Sequence, residues 1–477
     1  MLETGCWKLD AGNWKLETGF KLPSLHFKFQ STTFNGFEWT LFIMVKRSFF
    51  GLAKPQFRYE SLNGKPFEPE KISTPDRVTL FLKRPFAPNP LVRTGDKVKT
   101  GQKLSFYEDG DEYVISSVTG TVSSISPYMG DFGKSYTAVS IDVAGEEETD
   151  EQFGTAAEEP TLEKIKAFLD FTPGAPRMDA LLDADKPIKT IVVCGIDRDL
   201  LIATNQYVVK SRVEAINNGI SLLKKLSGVA HIMIAMPRAL MKEAGSIGGA
   251  AGVELRAIDA GYPASLPKMM MKELLGKVVP EGKTCEDMGV CFLNAEAVAS
   301  VGSAFKNRKI PVTKTLTLIK KDMTKVLVET RIGTPIGDIF NTCDVSLDQG
   351  DRIIIGGPMT GSAVYSDDYP VQPDTDAIMV QANEDVSPVS DYPCINCGEC
   401  VRICPAKIQV SMLVRFCEAG EYEDAADLYD LYSCIECGLC SFVCVSGMPV
   451  FQYIRLAKYE LDRVRIAEAE EEATENA

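Results

Sequence analysis

The chain has 477 residues, of which 45% are hydrophobic and 25% charged, and its formal net charge is −15 at pH 7. This length is too great for one hydrophobic core and predicts about three or four domains. The negative charge argues against nucleic acid as a partner. No 18 apolar residues follow one another, so no membrane-spanning helix is predicted. We expect a multidomain fold of α/β and β domains.

Residues 1–43 contain three short related motifs, TGCWKL, AGNWKL and ETGFKL, which show no periodic apolar face. We expect this segment to be a disordered extension that precedes the folded chain. A short amphipathic arm is the alternative. In the first case these residues need not belong to the native protein, whereas in the second they do.

Residues 44–150 are predicted to be a β domain. An apolar strand at 78–82 is followed by short strand patterns separated by glycine turns. The pattern resembles the barrel-sandwich hybrid fold of biotinyl and lipoyl carrier domains. A carrier needs a lysine on the hairpin between its halves, and the stretch from Ser105 to Ser116 has none. We therefore expect the fold without the carrier chemistry.

Residues 151–308 are predicted to be an α/β domain. Buried-strand patterns at 191–195 and 231–236 flank a helical segment over about 205–226. His231 begins an apolar strand and is predicted to lie in the core. Asp197 and Asp199 flank Arg198, and we expect them in a solvated turn, with an acid/base pair as the alternative.

Residues 309–382 are predicted to be a smaller, β-grasp-like domain. Alternating apolar residues predict strands at 311–319 and 326–332. Thr334 is predicted to cap a helix whose first residue is Pro335. A strand that starts at Arg352 then ends in the glycine turn GGPMTG.

Residues 383–460 contain two cysteine runs with the spacing x2-x2-x3. A helix is predicted over 410–432, between the two runs. Residues 461–477 are predicted to form an acidic tail. Such runs are typical of paired [4Fe–4S] clusters, in which the fourth cysteine of each run binds the other cluster. We assign one cluster to Cys394, Cys397, Cys400 and Cys444, and the other to Cys434, Cys437, Cys440 and Cys404. Pro405 follows the first run, whereas Val445 stands at that position in the second.

Other uses of these eight cysteines fit the spacing less well. Zinc ribbons use x2 pairs, and disulfide frameworks are typical of short secreted chains. The other six cysteines show no ligand spacing and are predicted to be structural thiols, which fits a reducing compartment; they are Cys6, Cys194, Cys285, Cys291, Cys343 and Cys417. A third site at Cys285 and Cys291 would need further ligands that the nearby sequence lacks.

From Met44 onward, the order of domains and several motifs resemble the C subunit of Rnf-type electron transport complexes. The motifs are GTPIGDIF, GGPMTG and above all CIECGLCSFVCVSGMPVFQYIRLAK at 434–458. The resemblance implies a peripheral subunit on the cytoplasmic face of an ion-pumping membrane complex. It also implies an α/β domain similar to the flavoprotein subunit of respiratory complex I.

Three motifs depart from the flavin-binding and nicotinamide-binding members of that family. The family's glycine-rich loop corresponds here to Asp170–Met178, which keeps one glycine and has no lysine. Its acidic segment corresponds to CGIDRDL at 194–200, and its YPQGxEKxL motif to YPASLPKM at 262–269. Because bulky residues block the close approach of phosphate to backbone amides, we expect neither FMN nor NADH to bind. Binding through an altered pocket is the alternative.

The sequence therefore predicts an electron-transfer subunit with two [4Fe–4S] clusters and no catalytic residue of its own. It would relay electrons between a redox partner, such as ferredoxin, and the membrane subunits of an ion-transporting complex. One alternative is an FMN-dependent module that oxidises NADH or reduces NAD. Another is a scaffold whose clusters are only structural.

Overall fold

The computed structural model describes residues 7–10, 13–16, 55–60, 62, 68–108, 110–130, 133–241, 247, 252–387, 389–390 and 392–475. The chain separates into two units, residues 1–45 and 46–477. In the first unit, strands β1 (Trp7–Asp10) and β2 (Asn13–Leu16) pair antiparallel. The rest of the predicted disordered extension lies outside the described residues.

A β domain opens the second unit. Its strands are β3 (Glu70–Lys71), β4 (Arg77–Leu82), β5 (Lys97–Val98), β6 (Lys103–Ser105), β7 (Tyr113–Ile115), β8 (Gly120–Met129) and β9 (Ser135–Val143). They form one sheet in the order β4-β9-β8-β5 and a small β6-β7 sheet, while β3 joins a sheet described below. Alternate residues of β4 and β9, such as Leu80 and Ile141, are fully buried between these strands and the helices that follow.

Three helices connect this domain to the α/β domain. They are α1 (Gln152–Ala156), α2 (Leu162–Leu169) and α3 (Asp179–Leu182). Helix α2 begins where Thr161 accepts a hydrogen bond from the Lys164 amide. Its apolar face buries Ile165 and Leu169 against the core that both domains share.

The α/β domain is a parallel sheet with helical crossovers. Its elements are β10 (Thr190–Cys194), α4 (Thr204–Ser211), α5 (Val213–Ser227), β11 (His231–Pro237), β12 (Glu254–Ile258), α6 (Pro267–Leu275), β13 (Val290–Asn294) and α7 (Ala295–Asn307). The strands lie in the order β12-β11-β10-β13, and all are parallel. The helix predicted over about 205–226 is broken at Arg212.

A mixed sheet follows, with the order β17-β16-β18-β14-β15-β3. Its elements are β14 (Thr313–Ile319), β15 (Lys325–Arg331), α8 (Ile336–Thr342), β16 (Arg352–Ile355), β17 (Ser362–Val364) and β18 (Ala377–Gln381). The predicted cap is displaced by one residue, because helix α8 begins at Ile336 with Pro335 before it and no side-chain cap. That this part is β-grasp-like stays a prediction.

The C-terminal part is helical. Its helices are α9 (Glu399–Ile403), α10 (Val410–Ala419), α11 (Tyr422–Tyr429), α12 (Leu439–Phe442) and α13 (Val450–Glu475). Gly420, with a φ of 82°, ends α10 in the left-handed conformation and divides the helix predicted over 410–432. Helix α13 continues to Glu475, so the helix does not stop ahead of the acidic residues as the sequence suggests. No helix among the described residues is both long and apolar enough to cross a bilayer.

Candidate metal centre

The two cysteine runs fold in the same way. In each run, the residue two positions after the first cysteine is left-handed, with φ of 56° at Asn396 and 54° at Glu436. The glycine after the second cysteine, Gly398 or Gly438, has a φ of 73° and precedes a short helix, α9 or α12. The x2-x2-x3 spacing therefore produces the same loop twice.

Backbone amides point at the first sulfur of each run. The Asn396 amide donates to the Sγ atom of Cys394, and the Glu436 amide to that of Cys434, each over 3.4 Å. Amide hydrogen bonds to thiolate sulfur stabilise negative charge there and are one of the factors that tune iron–sulfur sites. Both loops therefore present sulfur in a setting that suits an anionic ligand.

The structure brings the fourth cysteine of the first run to the first three cysteines of the second. Cys404, Cys434, Cys437 and Cys440 line one cavity. The other lining residues include Pro405, Ile408, Val410, Ile435, Leu439, Phe451 and Ile454. Four sulfur donors within an apolar wall fit a [4Fe–4S] cluster, whose ligands are thiolates and whose potential depends on its exclusion from solvent.

The remaining four cysteines also lie near one another. The Cys400 thiol interacts electrostatically with those of Cys394, Cys397 and Cys444, while burial raises its pKa to about 11. Here too the fourth member, Cys444, comes from the other run. The four thiols thus form the second of the two sets assigned from the sequence.

The two sets differ in their surroundings. Cys437 and Cys440 are buried, and burial raises the pKa of Cys437 to about 12. The four thiols of the other set are half-buried. Near them, Tyr392 is 78% exposed and Ile395 63% exposed. Cys404 and Cys434 are half-buried as well, so the set with Cys437 and Cys440 is the more buried of the two and the other set lies nearer the surface.

The second run packs on the α/β domain at the carboxyl ends of its strands. Cys437 and Leu439 share a core with Cys194 at the end of β10 and with Tyr262. The Tyr262 hydroxyl donates to the Cys437 carbonyl over 2.7 Å. This edge is where open parallel sheets bind ligands, and here the cysteine loop covers part of it.

No three His, Cys, Asp or Glu side chains among the described residues converge closely enough to hold a single metal ion. The four thiolates of a cubane each contact a different iron, so they stand further apart than the ligands of one ion. Of the cysteines outside the two runs, five are free and buried: Cys194, Cys285, Cys291, Cys343 and Cys417. Cys6 lies outside the described residues.

Asp197 and Asp199 are buried, so the prediction of a solvated turn is wrong. Asp197 accepts hydrogen bonds from the amide of Asn205 and the side chain of Gln206, and burial raises its pKa to about 6. Asp199 accepts from the amides of Met359 and Thr360 and from the Thr360 hydroxyl. Both carboxylates therefore hold loops together, and Asp199 joins the α/β domain to the GGPMTG turn.

His231 is exposed at the first position of β11, so the prediction that it lies in the core is also wrong. The apolar stretch begins one residue later, at Ile232, which is buried.

Two groups of charged residues are not evident from the sequence patterns. One is the buried ion pair between Lys314 and Glu296, whose only sign in the sequence is a lysine in the alternating strand β14. The other is a pair of lysines, Lys268 and Lys458, that bind the backbone of the second cysteine loop. Lys268 belongs to YPASLPKM, the stretch that stands in place of the family's YPQGxEKxL motif.

Two family models match parts of the chain. Residues 51–146 match the RnfC barrel-sandwich hybrid domain, in agreement with the resemblance seen in the sequence of this region. Residues 174–303 match the FMN-binding domain of Nuo51. The chain is thus a mixed α/β, multidomain protein, as predicted.

Similar proteins extend over most of the chain. It is 28% identical over 433 residues to the C subunit of the ion-translocating oxidoreductase complex of Klebsiella pneumoniae, covering 87% of this chain and 57% of that protein. It is 27% identical over 440 residues to the C subunit of the proton-translocating ferredoxin:NAD(+) oxidoreductase complex of Clostridium ljungdahlii, covering 87% and 94%. The chain spans 51% to 57% of the length of the Klebsiella protein and of the namesakes from Haemophilus influenzae and Pasteurella multocida.

A solved NAD+-reducing [NiFe]-hydrogenase aligns with a TM-score of 0.42 and 13% identity, covering 68% of this chain and 69% of the hydrogenase chain.

The match to an FMN-binding domain conflicts with the prediction that FMN does not bind, and that prediction is not upheld. In the described arrangement, the loop at Gly174 packs closely on the start of helix α7. A Cβ at Gly174 would lie 2.3 Å from the Ala297 amide nitrogen. The Asn294 side chain donates to the Gly174 carbonyl and accepts from the Ala297 amide. The Asn294 side chain therefore joins the loop at Gly174 to the first turn of α7.

The resemblance that the motifs predicted, to the C subunits of Rnf-type ion-translocating oxidoreductase complexes, is confirmed by these relatives.

Proposed function

We propose that this chain is a peripheral electron-transfer subunit of an Rnf-type, ion-translocating oxidoreductase complex. It would hold two [4Fe–4S] clusters, one on Cys394, Cys397, Cys400 and Cys444 and one on Cys404, Cys434, Cys437 and Cys440. When bound, each cluster would accept and release one electron. The chain itself would supply ligands, insulation and docking surfaces, with no catalytic residue.

The observation that carries this proposal is the exchange of the fourth cysteine between two loops of the same fold. Cys404 leaves its own run to line the cavity of the second run, and Cys444 lies beside the first. Fourth ligands are exchanged in this way in two-cluster ferredoxins. Because the exchange interlocks the two loops, it also keeps the two sets adjacent.

The chain's own residues support the relay in two ways. Apolar side chains such as Ile408, Phe451 and Ile454 line the cavity of the buried set and exclude water from it. The other set is half-buried, beside exposed Tyr392 and Ile395. An electron would therefore enter or leave at the set nearer the surface and reach the more buried set without crossing solvent.

The names of the relatives support the assignment to a complex. They describe subunits of complexes that translocate ions or protons, and one names ferredoxin and NAD(+). We further propose that the chain lies on the cytoplasmic face of the cell membrane, bound to the membrane subunits. Ferredoxin or a similar redox protein would be its electron partner.

The test is anaerobic reconstitution with iron and sulfide, reduction with dithionite and EPR spectroscopy. The proposal predicts signals of reduced [4Fe–4S] clusters that, after excess dithionite is removed, disappear as added oxidised ferredoxin takes up the electrons. Clusters that bind but stay in one oxidation state would favour a structural scaffold instead. A chain that takes up no iron would rule out both.

A second candidate is an FMN-dependent module that oxidises NADH or reduces NAD. The match of residues 174–303 to an FMN-binding domain favours it. This function predicts stoichiometric FMN after reconstitution and bleaching of the cluster absorbance by NADH. Equal bleaching with and without added FMN, or none at all, would count against it.

A further inference from the structure

Two lysines from distant parts of the chain reach the same cysteine loop. Lys268 lies in α6 of the α/β domain, and its Nζ atom donates to the Tyr432 carbonyl over 2.8 Å. Lys458 lies in α13, and its Nζ atom donates to the Cys434 carbonyl over 2.9 Å and to Glu436 over 2.7 Å. Both ammonium groups thus bind backbone carbonyls within two residues of the first cysteine of the second run.

These two positive charges are held close together and partly out of water. The Lys458 side chain is only 16% exposed. Lys268 is half-buried, and the two carbonyl groups that the lysines bind lie only two residues apart in the chain. Holding like charges together in a poorly solvated place is unfavourable unless an anion lies near them. Glu436 is one such anion, and it is half-exposed.

The first run is arranged differently. The cation within it is Arg402, which is exposed and forms an ion pair with Glu399 in its own helix. Its hydrogen bond to the Cys397 carbonyl is long, at 3.4 Å. An exposed, paired cation is screened by water and salt and acts weakly on its surroundings. The two cysteine loops share a fold but not a charge environment.

We propose that Lys268 and Lys458 raise the reduction potential of the cluster held by Cys404, Cys434, Cys437 and Cys440. This inference rests on the proposed function, because it assumes that the cluster is present. A cluster with four thiolate ligands is anionic and gains one more negative charge on reduction. Cations fixed nearby in a low-dielectric region stabilise that added charge, and net charge is one of the determinants of cluster potential.

The test is a redox titration of the reconstituted full chain, monitored by EPR. Lys268→Met and Lys458→Met should each shift the titration of this cluster to a lower potential and leave the other cluster unchanged. Lys268→Arg keeps the charge and should restore the parent potential. Lys272→Met is the matched control, because Lys272 is exposed on the same helix one turn away, and no shift is expected.

The outcomes separate this inference from the function on which it depends. Intact clusters with unchanged potentials in both methionine variants would overturn the role of the lysines and leave the relay standing. A parent chain without clusters would overturn both. If Lys268→Met loses iron, Lys458→Gln and Lys268→Arg decide the matter, with a lower potential expected for the first and the parent potential for the second.

Discussion

Lys314 and Glu296 form an ion pair with no solvent exposure on either side chain, where α7 meets β14. The Lys314 Nζ atom also lies 3.0 Å from Asp376. Burial alone would lower the pKa of Lys314, but the two carboxylates outweigh it and raise the pKa above its ordinary value. The lysine is therefore charged in the folded protein.

Removing Lys314 should destabilise the protein strongly. Lys314→Met leaves the Glu296 carboxylate buried without its partner, which typically costs about 3–5 kcal/mol in the free energy of unfolding. Chemical denaturation measures this loss. The double variant Lys314→Met/Glu296→Leu should recover much of it, because the carboxylate that then loses its partner, Asp376, is partly exposed to water. As a control, Lys306→Met breaks an exposed pair with Glu214 and should cost less than about 1 kcal/mol.

Asp170 makes stability depend on pH. Burial raises its pKa from 3.8 to about 7, and its Oδ1 atom is buried without a hydrogen-bond partner. The folded state thus binds this proton more tightly than the unfolded state, so its contribution to stability falls as pH rises from about 4 to about 7. Asp170→Asn should raise the melting temperature at pH 8.5 and raise it less at pH 5.5. An equal effect at both values would contradict this reading.

Residue environments were the part of the structure that the sequence predicted least well. Asp197 and Asp199 beside Arg198 suggest a solvated turn, because charged residues close in sequence usually face water. Their hydrogen-bond donors include Gln206, Met359 and Thr360, and the last two lie about 160 residues away. A local pattern cannot report such partners. The contacts of Lys268 and Lys458 with the second cysteine loop could not be predicted for the same reason.

At the scale of elements, Gly438 and Gly398 form a natural pair for comparison. Both have a φ of 73° and occupy the same position in their runs. A Cβ at Gly438 would lie 2.1 Å from the Met359 carbonyl oxygen, whereas a Cβ at Gly398 would meet nothing within 4 Å. The backbone at Gly438 therefore packs directly against Met359, and this packing holds the second cysteine loop on the GGPMTG turn.

The alanine variants of the two glycines should therefore behave differently. Both incur the strain of a left-handed alanine, roughly 1–2 kcal/mol, but only Gly438→Ala must also displace Met359. We expect Gly438→Ala to lose the cluster of Cys404, Cys434, Cys437 and Cys440, and Gly398→Ala to keep both clusters. Iron analysis and EPR measure the difference. Equal iron loss in the two variants would show that strain, and not the contact, decides.

Most strands and helices followed from periodicity, because apolar alternation and the 3.6-residue period reflect burial directly. Strands β4, β10, β11 and β14 lie where they were predicted, to within two residues. Helix breaks were missed at Arg212 and Gly420, where the chain turns to pack against neighbours that the local sequence does not reveal. The predicted cap of α8 is wrong by one residue, because the helix begins at Ile336 and no side chain caps it.

At the scale of the whole molecule, the cysteine spacing predicted which thiols lie near one another, because Cys404 lines the cavity of the second run and Cys444 lies near Cys400. That these thiols bind iron–sulfur clusters stays a prediction. The prediction about flavin failed differently. Missing motif residues indicated a lost pocket, yet the domain still matches an FMN-binding family. Loop substitutions alter a pocket's lining without altering the scaffold that a family model detects, so the two signals disagree.

The most direct test of the paired clusters is iron and sulfide analysis of the reconstituted chain and of two variants, Cys404→Ser and Cys444→Ser. Two cubane clusters predict about eight irons in the parent. Exchanged fourth ligands predict about four irons in each variant. Cys404→Ser should lose the EPR signal of the set with Cys434, Cys437 and Cys440, and Cys444→Ser that of the set with Cys394, Cys397 and Cys400. A parent without iron, or variants that each lose the cluster of their own run, would contradict the exchange of fourth ligands.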